Sequence, residues 1–278
     1  MSLLPSALPN ANAARRPTLV LLHASASSAR QWDALAESLR AHFEVHAIDL
    51  HGHGRQPAPA HGGVLSVHDD AALARAVLEQ AGGGHVIGHS YGAAVAVHLA
   101  AAVPQLVHSL ALYEPVLFRL LADHAAGSFG ASEVFELATF VWQQVAKDRL
   151  SAAAERFVDY WSGPQAWQRM PADRQTSTAA RMPIIEQQFH SLVREPLPPE
   201  ALARLAMPLL CLHGTRTTSA ALQMAALLRT LLPHGRHEAL EGLGHMGPMT
   251  HALPVNDRLM RFLNVDVPCW RVPAKQAA

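Results

Sequence analysis

The chain contains the stretch Val86-Ile87-Gly88-His89-Ser90-Tyr91-Gly92-Ala93-Ala94, in which one serine separates an apolar run from a run of small residues. This pattern predicts a strand, a sharp turn and a helix, with Ser90 at the corner. A serine in such a turn projects its hydroxyl away from the sheet, where a substrate can reach it. Gly88 and Gly92 lack the Cβ atoms that would collide where helix and strand approach each other. The stretch therefore predicts a nucleophilic serine.

On both sides of this stretch, apolar runs of strand length alternate with helical patterns. We predict strands near 18–23, 43–50, 85–88, 106–113, 208–213 and 237–240, and helices near 31–41, 67–81, 92–102, 219–232 and 254–263. Wholly apolar strands that alternate with helices indicate a parallel sheet covered on both faces. The predicted fold class is therefore α/β, with a mostly parallel central sheet and helices on both faces.

The middle of the chain interrupts this alternation. Between residues 115 and 207 strand-like runs give way to helical segments rich in Trp, Phe, Ala and Gln, and six prolines between 164 and 199 divide them into short helices. We predict a helical cap at 115–207, inserted into a core domain made of 18–114 and 208–278. Residues 1–17 are predicted to be a flexible leader and not a signal peptide, because their arginines follow the apolar part.

Composition limits the classes of partner. With 22 basic and 22 acidic residues, the chain offers no electrostatic case for nucleic acid or an anionic membrane surface, and no run reaches the length of a membrane span. Its two cysteines, Cys211 and Cys269, have no disulfide or metal spacing. We expect reduced thiols, a cytoplasmic location, a small-molecule substrate and no cofactor. Nothing in the sequence predicts an oligomeric state.

Four short motifs follow one another along the chain, and their order as well as their residues is informative. They are Leu22-His23-Ala24-Ser25, Asp49-Leu50-His51-Gly52-His53-Gly54-Arg55, Gly88-His89-Ser90-Tyr91-Gly92 and Gly244-His245-Met246. Together they resemble the motifs of the α/β-hydrolase superfamily, and the resemblance covers residues 18 to 264. It implies the α/β-hydrolase fold with an inserted cap, Ser90 as nucleophile, and an oxyanion hole formed by the backbone amides of Ser25 and Tyr91. Ala24 replaces the glycine usual in the first motif.

Ser90 needs a base, because an unassisted serine hydroxyl is a poor nucleophile at neutral pH. His245 is the candidate, since it follows the last predicted strand in a glycine-rich turn and comes after the serine, as the chain order of this fold requires. His251 is a second, weaker candidate because it stands at the approach to a helix.

The acid departs from the pattern common in the family. Thr217 stands where an aspartate is expected, and no carboxylate occurs between Glu200 and Glu238. A neutral threonine cannot stabilise an imidazolium as a buried carboxylate does. Some family members carry the acid at the end of the strand after the elbow helix, where this chain has Glu114. We therefore predict Glu114 as the orienting acid, with Glu241 as the alternative.

Two further groups of residues have weaker signals. Asp49 with the His51 and His53 pair raises the question of a metal, but the resemblance favours a structural turn, so no metal site is predicted. Of the aromatic residues in the predicted cap, we expect one or two to line the substrate pocket and the others to pack its helices. These residues are Phe140, Trp142, Phe157, Tyr160, Trp161 and Trp167.

The resemblance implies a serine hydrolase that cleaves a small, mostly apolar ester or related acyl substrate through an acyl-enzyme on Ser90. The same triad would also serve a carbon–carbon bond hydrolase or an acyltransferase. Thr217 raises a third alternative, a non-catalytic ligand-binding member of the fold. Dehalogenase and epoxide hydrolase chemistry is disfavoured, because members with those activities have an aspartate in the place of Ser90.

Overall fold

The computed structural model describes residues 16–59 and 64–265, so most of the predicted leader and residues 266–278, with Cys269, lie outside the described residues. Its sheet consists of β1 (Thr18–Leu22), β2 (Glu44–Ile48), β3 (Gly84–His89), β4 (Val107–Tyr113), β5 (Leu209–Gly214) and β6 (Arg236–Leu240). The six strands are parallel and run in the order β2-β1-β3-β4-β5-β6. The carboxyl ends of all strands therefore lie at one edge.

Helices occupy most of the remaining chain. They are α1 (Asp33–Leu39), α2 (Val67–Ala81), α3 (Tyr91–Ala102), α4 (Phe118–His124), α5 (Phe129–Val145), α6 (Leu150–Ser162), α7 (Ala172–Ala180), α8 (Met182–Arg194), α9 (Pro199–Ala203), α10 (Ser219–Leu231), α11 (Gly247–Thr250) and α12 (Ala252–Phe262). In the described part of the chain, none of them combines the length and apolarity needed to cross a bilayer.

Both faces of the sheet are buried. Val20 and Leu22 of β1 belong to one apolar cluster, whereas Leu19 and Leu21 belong to another. Successive side chains of a strand point to opposite faces, so the two clusters lie on the two sides of the sheet. The predicted α/β class with helices on both faces is confirmed. Among the described residues, Cys211 is a free, buried thiol on β5, and burial raises its pKa to about 12.

The segment between β4 and β5 contains α4 to α9 and, within its fully described residues 115–207, no strand. Prolines divide the segment into several helices as predicted, and three of them mark helix starts: Pro171 precedes α7, Pro183 lies in the first turn of α8, and Pro199 begins α9. That this segment forms a separate cap domain stays a prediction.

The turn at Ser90 explains the need for glycine on either side. Ser90 has φ 56° and ψ −117°, an uncommon conformation for a residue with a side chain. A Cβ on Gly88 would lie 2.5 Å from the carbonyl oxygen of Gly92. A Cβ on Gly92 would lie 2.5 Å from the carbonyl oxygens of Leu22 and His23. Gly92 thus lets α3 approach the end of β1, the strand beside β3.

Changing Gly92 to alanine should therefore lower the free energy of unfolding by about 3 kcal/mol, because the added methyl group meets backbone that cannot move aside. Urea unfolding of the two proteins measures this loss. Gly127→Ala is the control: no atom lies within 4 Å of the added Cβ, so only the cost of its positive φ, about 1 kcal/mol, is expected. Equal losses in the two variants would contradict the steric explanation.

Buried histidines make the fold sensitive to acid. Burial, helped by neighbouring His53, lowers the pKa of His23 to about 3. Burial also lowers the pKa of His98, on α3, to about 4, with a smaller contribution from His68. Below about pH 6.5, the pKa of an unfolded histidine, these side chains bind protons in the unfolded chain but stay neutral in the folded one. Lowering the pH therefore favours the unfolded chain. The contribution of these side chains to stability is complete above about pH 6.5 and is lost as the pH falls towards 4 for His98 and towards 3 for His23.

We expect His98→Leu to flatten this dependence. The drop in the free energy of unfolding between pH 7.5 and pH 5 should be about 1–2 kcal/mol smaller in the variant than in the unchanged protein. The variant lacks one histidine that binds a proton only when the chain unfolds. Denaturant unfolding at the two pH values gives both drops. Identical drops would show that His98 is protonated in the folded protein.

Candidate active site

Ser90 lies at the junction of β3 and α3, at the carboxyl edge of the sheet. Its backbone N–H donates to the carbonyl oxygen of Tyr113 at 2.9 Å, and its own carbonyl accepts the N–H of Ala94 at 3.0 Å as the helix begins. The serine is therefore fixed by the neighbouring strand on one side and by the helix on the other. Its residue surface is 6% exposed.

The structure brings Ser90, His245 and Glu114 into one hydrogen-bonded chain. His245 Nε2 lies 2.8 Å from Ser90 Oγ, and His245 Nδ1 lies 2.7 Å from Glu114 Oε2. A carboxylate only accepts hydrogen bonds, so Nδ1–H donates to Glu114 and Nε2 is left to accept from the serine hydroxyl. This is the geometry that a serine nucleophile and its base require. Glu114 and His245 are both buried.

Glu114 is held by the last residue of β5 and by the loop that follows it. The N–H of Gly214 donates to its Oε1 at 2.8 Å, and Thr217 Oγ1 donates to its Oε2 at 2.7 Å. Glu114 itself has a positive φ of 45°, directly after β4. Thr217 stands where an aspartate was expected. It donates to Glu114, whose carboxylate lies beside His245 Nδ1.

The two alternative residues lie elsewhere. Glu241 is exposed on the turn after β6, and the carboxylate at His245 Nδ1 belongs to Glu114. His251 is exposed and its Nδ1 lies 2.9 Å from Thr250 Oγ1. Neither takes part in the hydrogen-bonded chain at Ser90.

The loop after β1 contains the successive backbone amides of Ala24, Ser25 and Ala26, and the outer two donate hydrogen bonds to side chains. The N–H of Ala24 donates to Gln31 Oε1 at 3.1 Å, and the N–H of Ala26 donates to His53 Nε2 at 3.1 Å. Across residues 16–59 and 64–265, no protein group accepts the N–H of Ser25 or of Tyr91. Both predicted oxyanion donors therefore keep a free N–H close to Ser90.

His89, inside the elbow, connects this loop to the histidine loop. Its Nε2–H donates to the carbonyl oxygen of His245 at 2.8 Å, so its Nδ1 accepts from Gln31 Nε2 at 3.0 Å. Complete burial and the neighbouring His245 hold the pKa of His89 well below its ordinary value, which keeps the ring neutral. Sequence reasoning missed both His89 and Gln31, because the elbow pattern allows any residue before the serine and Gln31 belongs to none of the four motifs.

The turn predicted as structural is braced by Asp49. Its carboxylate accepts the N–H of Ala29 at 2.7 Å and that of Arg55 at 3.0 Å. His51 instead contacts Asp70 at 2.8 Å, a hydrogen bond that raises the pKa of its imidazole. In the part of the chain that is described, no three His, Cys, Asp or Glu side chains are grouped to hold a metal.

A cavity of about 430 Å³ opens beside Ser90 and His245. Of the six aromatic residues considered above, Phe157 and Trp161 line it. The Trp161 ring packs on the His245 ring with centroids 4.1 Å apart. Trp142 stacks on His190 instead, with centroids 4.3 Å apart. The expectation that one or two of these aromatics face the pocket is confirmed.

The family model described as "Alpha/beta hydrolase family" matches residues 19–258. The chain belongs to this family. It is 31% identical over 258 residues to the pimeloyl-[acyl-carrier protein] methyl ester esterase of Xanthomonas oryzae pv. oryzae (strain MAFF 311018), covering 89% of this chain and 95% of that one. The predictions of the α/β-hydrolase fold and of a hydrolytic enzyme are confirmed.

Solved structures agree on the fold. The 2-hydroxy-6-oxo-6-phenylhexa-2,4-dienoate hydrolase from Rhodococcus sp. strain RHA1 superposes with a TM-score of 0.65 at 22% identity, covering 90% of this chain and 91% of that one. The enol-lactonase from Burkholderia xenovorans LB400 gives 0.67 at 16% identity, covering 91% and 93%. At these identities the likeness extends to the fold alone.

We expect Glu114→Gln to lower kcat for a 4-nitrophenyl ester by at least about 100-fold, because an amide cannot fix the His245 tautomer as a carboxylate does. Thr217→Val, which removes one donor from the carboxylate, should cost about tenfold or less. Steady-state kinetics at neutral pH measure both, with Glu241→Gln as the matched control. A larger loss in the control than in Glu114→Gln would assign the acid to the turn after β6.

Proposed function

We propose that the protein is a serine esterase that hydrolyses carboxylic esters through an acyl-enzyme on Ser90. The observation that carries the proposal is the unbroken hydrogen-bonded chain from Ser90 Oγ through both His245 nitrogens to Glu114, with distances of 2.8 and 2.7 Å. The free amides of Ser25 and Tyr91 supply the donors that a developing oxyanion needs.

In the first half-reaction Ser90 Oγ attacks the ester carbonyl carbon and its proton passes to His245 Nε2. The carbonyl oxygen takes up the negative charge and accepts hydrogen bonds from the amides of Ser25 and Tyr91. When the intermediate collapses, the bond between the carbonyl carbon and the leaving oxygen breaks. His245 then gives its proton to that oxygen, and the alcohol departs.

In the second half-reaction a water molecule attacks the acyl group while His245 accepts its proton. Collapse breaks the bond to Ser90 Oγ, which regains the proton from His245, and the carboxylic acid is released. Glu114 stays ionised in both halves and stabilises the imidazolium each time it forms. Thr217 and Gly214 hold the carboxylate in place by donating to its two oxygens.

The shape of the cavity supports a small substrate. Its volume of about 430 Å³ lies at the lower end of the range common for small-molecule sites. Phe157 and Trp161 supply apolar walls of the cavity, whereas Ser25, Arg174 and Arg181 supply polar ones. We propose a substrate that is apolar around its ester group. The name of the Xanthomonas relative, a methyl ester esterase, supports the ester as the bond that is cleaved.

A fluorophosphonate probe tests the proposal directly, because it reacts only with a serine that its base has activated. The unchanged protein should gain the mass of one phosphonyl group on Ser90 and should hydrolyse 4-nitrophenyl esters. Ser90→Ala should show neither property, and His245→Gln should lose both although it keeps the serine. An unlabelled, inactive wild-type protein would instead indicate a ligand-binding member of the fold.

A further inference from the structure

A second, much smaller cavity of about 20 Å³ lies against Ser90, beneath α8. Its polar walls are Ser25, Ser90 and Gln188, and its remaining walls are aromatic or aliphatic side chains, among them Phe118 and Leu192. A cavity of this size admits one or two groups the size of a water molecule or a methyl group. Any polar group in it must therefore find its partner among very few atoms.

The side-chain amide of Gln188 forms a hydrogen bond through its oxygen but, among the described residues, none through its nitrogen. Its side-chain oxygen accepts the Ser25 hydroxyl at 2.6 Å, and the residue is 1% exposed. Within the described residues, no protein group accepts a hydrogen bond from its Nε2. A buried donor without a partner is costly, and the cost disappears when a ligand supplies an acceptor.

The helix that carries Gln188 is tied to the core on both sides of it. Gln187 Oε1 accepts the N–H of Leu65 at 3.0 Å, and Ser191 Oγ accepts the N–H of Val67 at 2.6 Å. The Gln188 side chain is thus fixed through its own bond to Ser25 and through its helix. An unpaired donor on a rigid support is what selective recognition requires.

The position of His245 tells which part of an ester enters each cavity. His245 must hand a proton to the leaving oxygen, so the leaving group lies on its side of Ser90. His245 lines the large cavity, whereas the walls of the small cavity include Ser90 and Ser25 but not His245. The alcohol part of the substrate therefore occupies the large cavity, and the acyl part occupies the small one.

We infer that Gln188 Nε2 donates to an acceptor oxygen on the acyl chain, and that the enzyme prefers short acyl groups with an ether or carbonyl oxygen close to the ester carbonyl. This inference rests on the proposed function of Ser90. The recognised oxygen lies close to the oxyanion site, because Ser25 links Gln188 to the loop whose amide faces that site.

Two esters of equal length test this preference: 4-nitrophenyl methoxyacetate, which has an ether oxygen in its acyl chain, and 4-nitrophenyl butyrate, which has a methylene group there. The measured quantity is the ratio of their kcat/KM values. In Gln188→Met, which keeps the length of the side chain without its N–H, the ratio should fall at least about fivefold relative to wild type. Comparing ratios cancels the intrinsic reactivity of the esters.

Leu192→Met is the matched control, because it changes an apolar wall of the same cavity and should leave the ratio as in wild type. Gln188→Leu, which likewise removes the amide donor and adds no ionisable group, should lower the ratio as Gln188→Met does. Equal losses on both esters in the Gln188 variants would overturn the inference, since Gln188 would then act only by positioning Ser25.

The wild-type protein alone gives a further test that does not depend on a variant folding. Its ratio should exceed the ratio of the alkaline hydrolysis rates of the two esters, and equality of these ratios would overturn the inference. Failure of the inference and failure of the proposed function remain distinguishable. A protein that reacts with the fluorophosphonate but shows no acyl preference contradicts only the role of Gln188, whereas an unlabelled protein contradicts the role of Ser90.

Discussion

The hydrogen bond between Glu114 and His245 is the contact on which the arrangement at Ser90 depends. It joins the end of β4 to the loop after β6, across the end of β5 that lies between them. Because all six strands are parallel, these three ends meet at one edge of the sheet. A carboxylate at the end of β4 can therefore serve the same histidine as one in the loop after β5. Glu114 thus takes the place of an acid in that loop, and Thr217, which stands there, donates a hydrogen bond to it.

A second set of hydrogen bonds fixes the rest of the site relative to this contact. Gln31 holds the amide of Ala24 and, through His89, the carbonyl of His245. The loop after β1 and the loop after β6 are thus connected through the imidazole of His89, which burial keeps neutral. Preorganisation of this kind means that donors need not reorient when charge develops on a substrate. The elbow therefore organises the site through His89 as well as through Ser90.

Sequence patterns predicted the main helices and strands because residues within or next to each element determine where it begins and ends. Helix α2 begins and ends as predicted, since Ser66 caps it and Gly82 takes a left-handed conformation after it. The residues brought together at Ser90 were predictable from motifs that lie directly after strands. The pairing of Gln188 with Ser25 was not, because it joins positions 163 residues apart and depends on how α8 packs. Neither Gln188 nor Gln31 could be identified from the sequence, since only the fold shows which amide atoms form hydrogen bonds.

The central claim is that Glu114 fixes the His245 ring so that Nε2 can take the serine proton. Nitrogen-15 NMR of histidine-labelled protein at neutral pH tests it most directly, because the shifts of the two ring nitrogens report which one carries the proton. Wild-type protein should show His245 with a proton on Nδ1 and none on Nε2, and Glu114→Ala should lose this single tautomer. A His245 ring protonated on Nε2, or one unaffected by Glu114→Ala, would contradict the account.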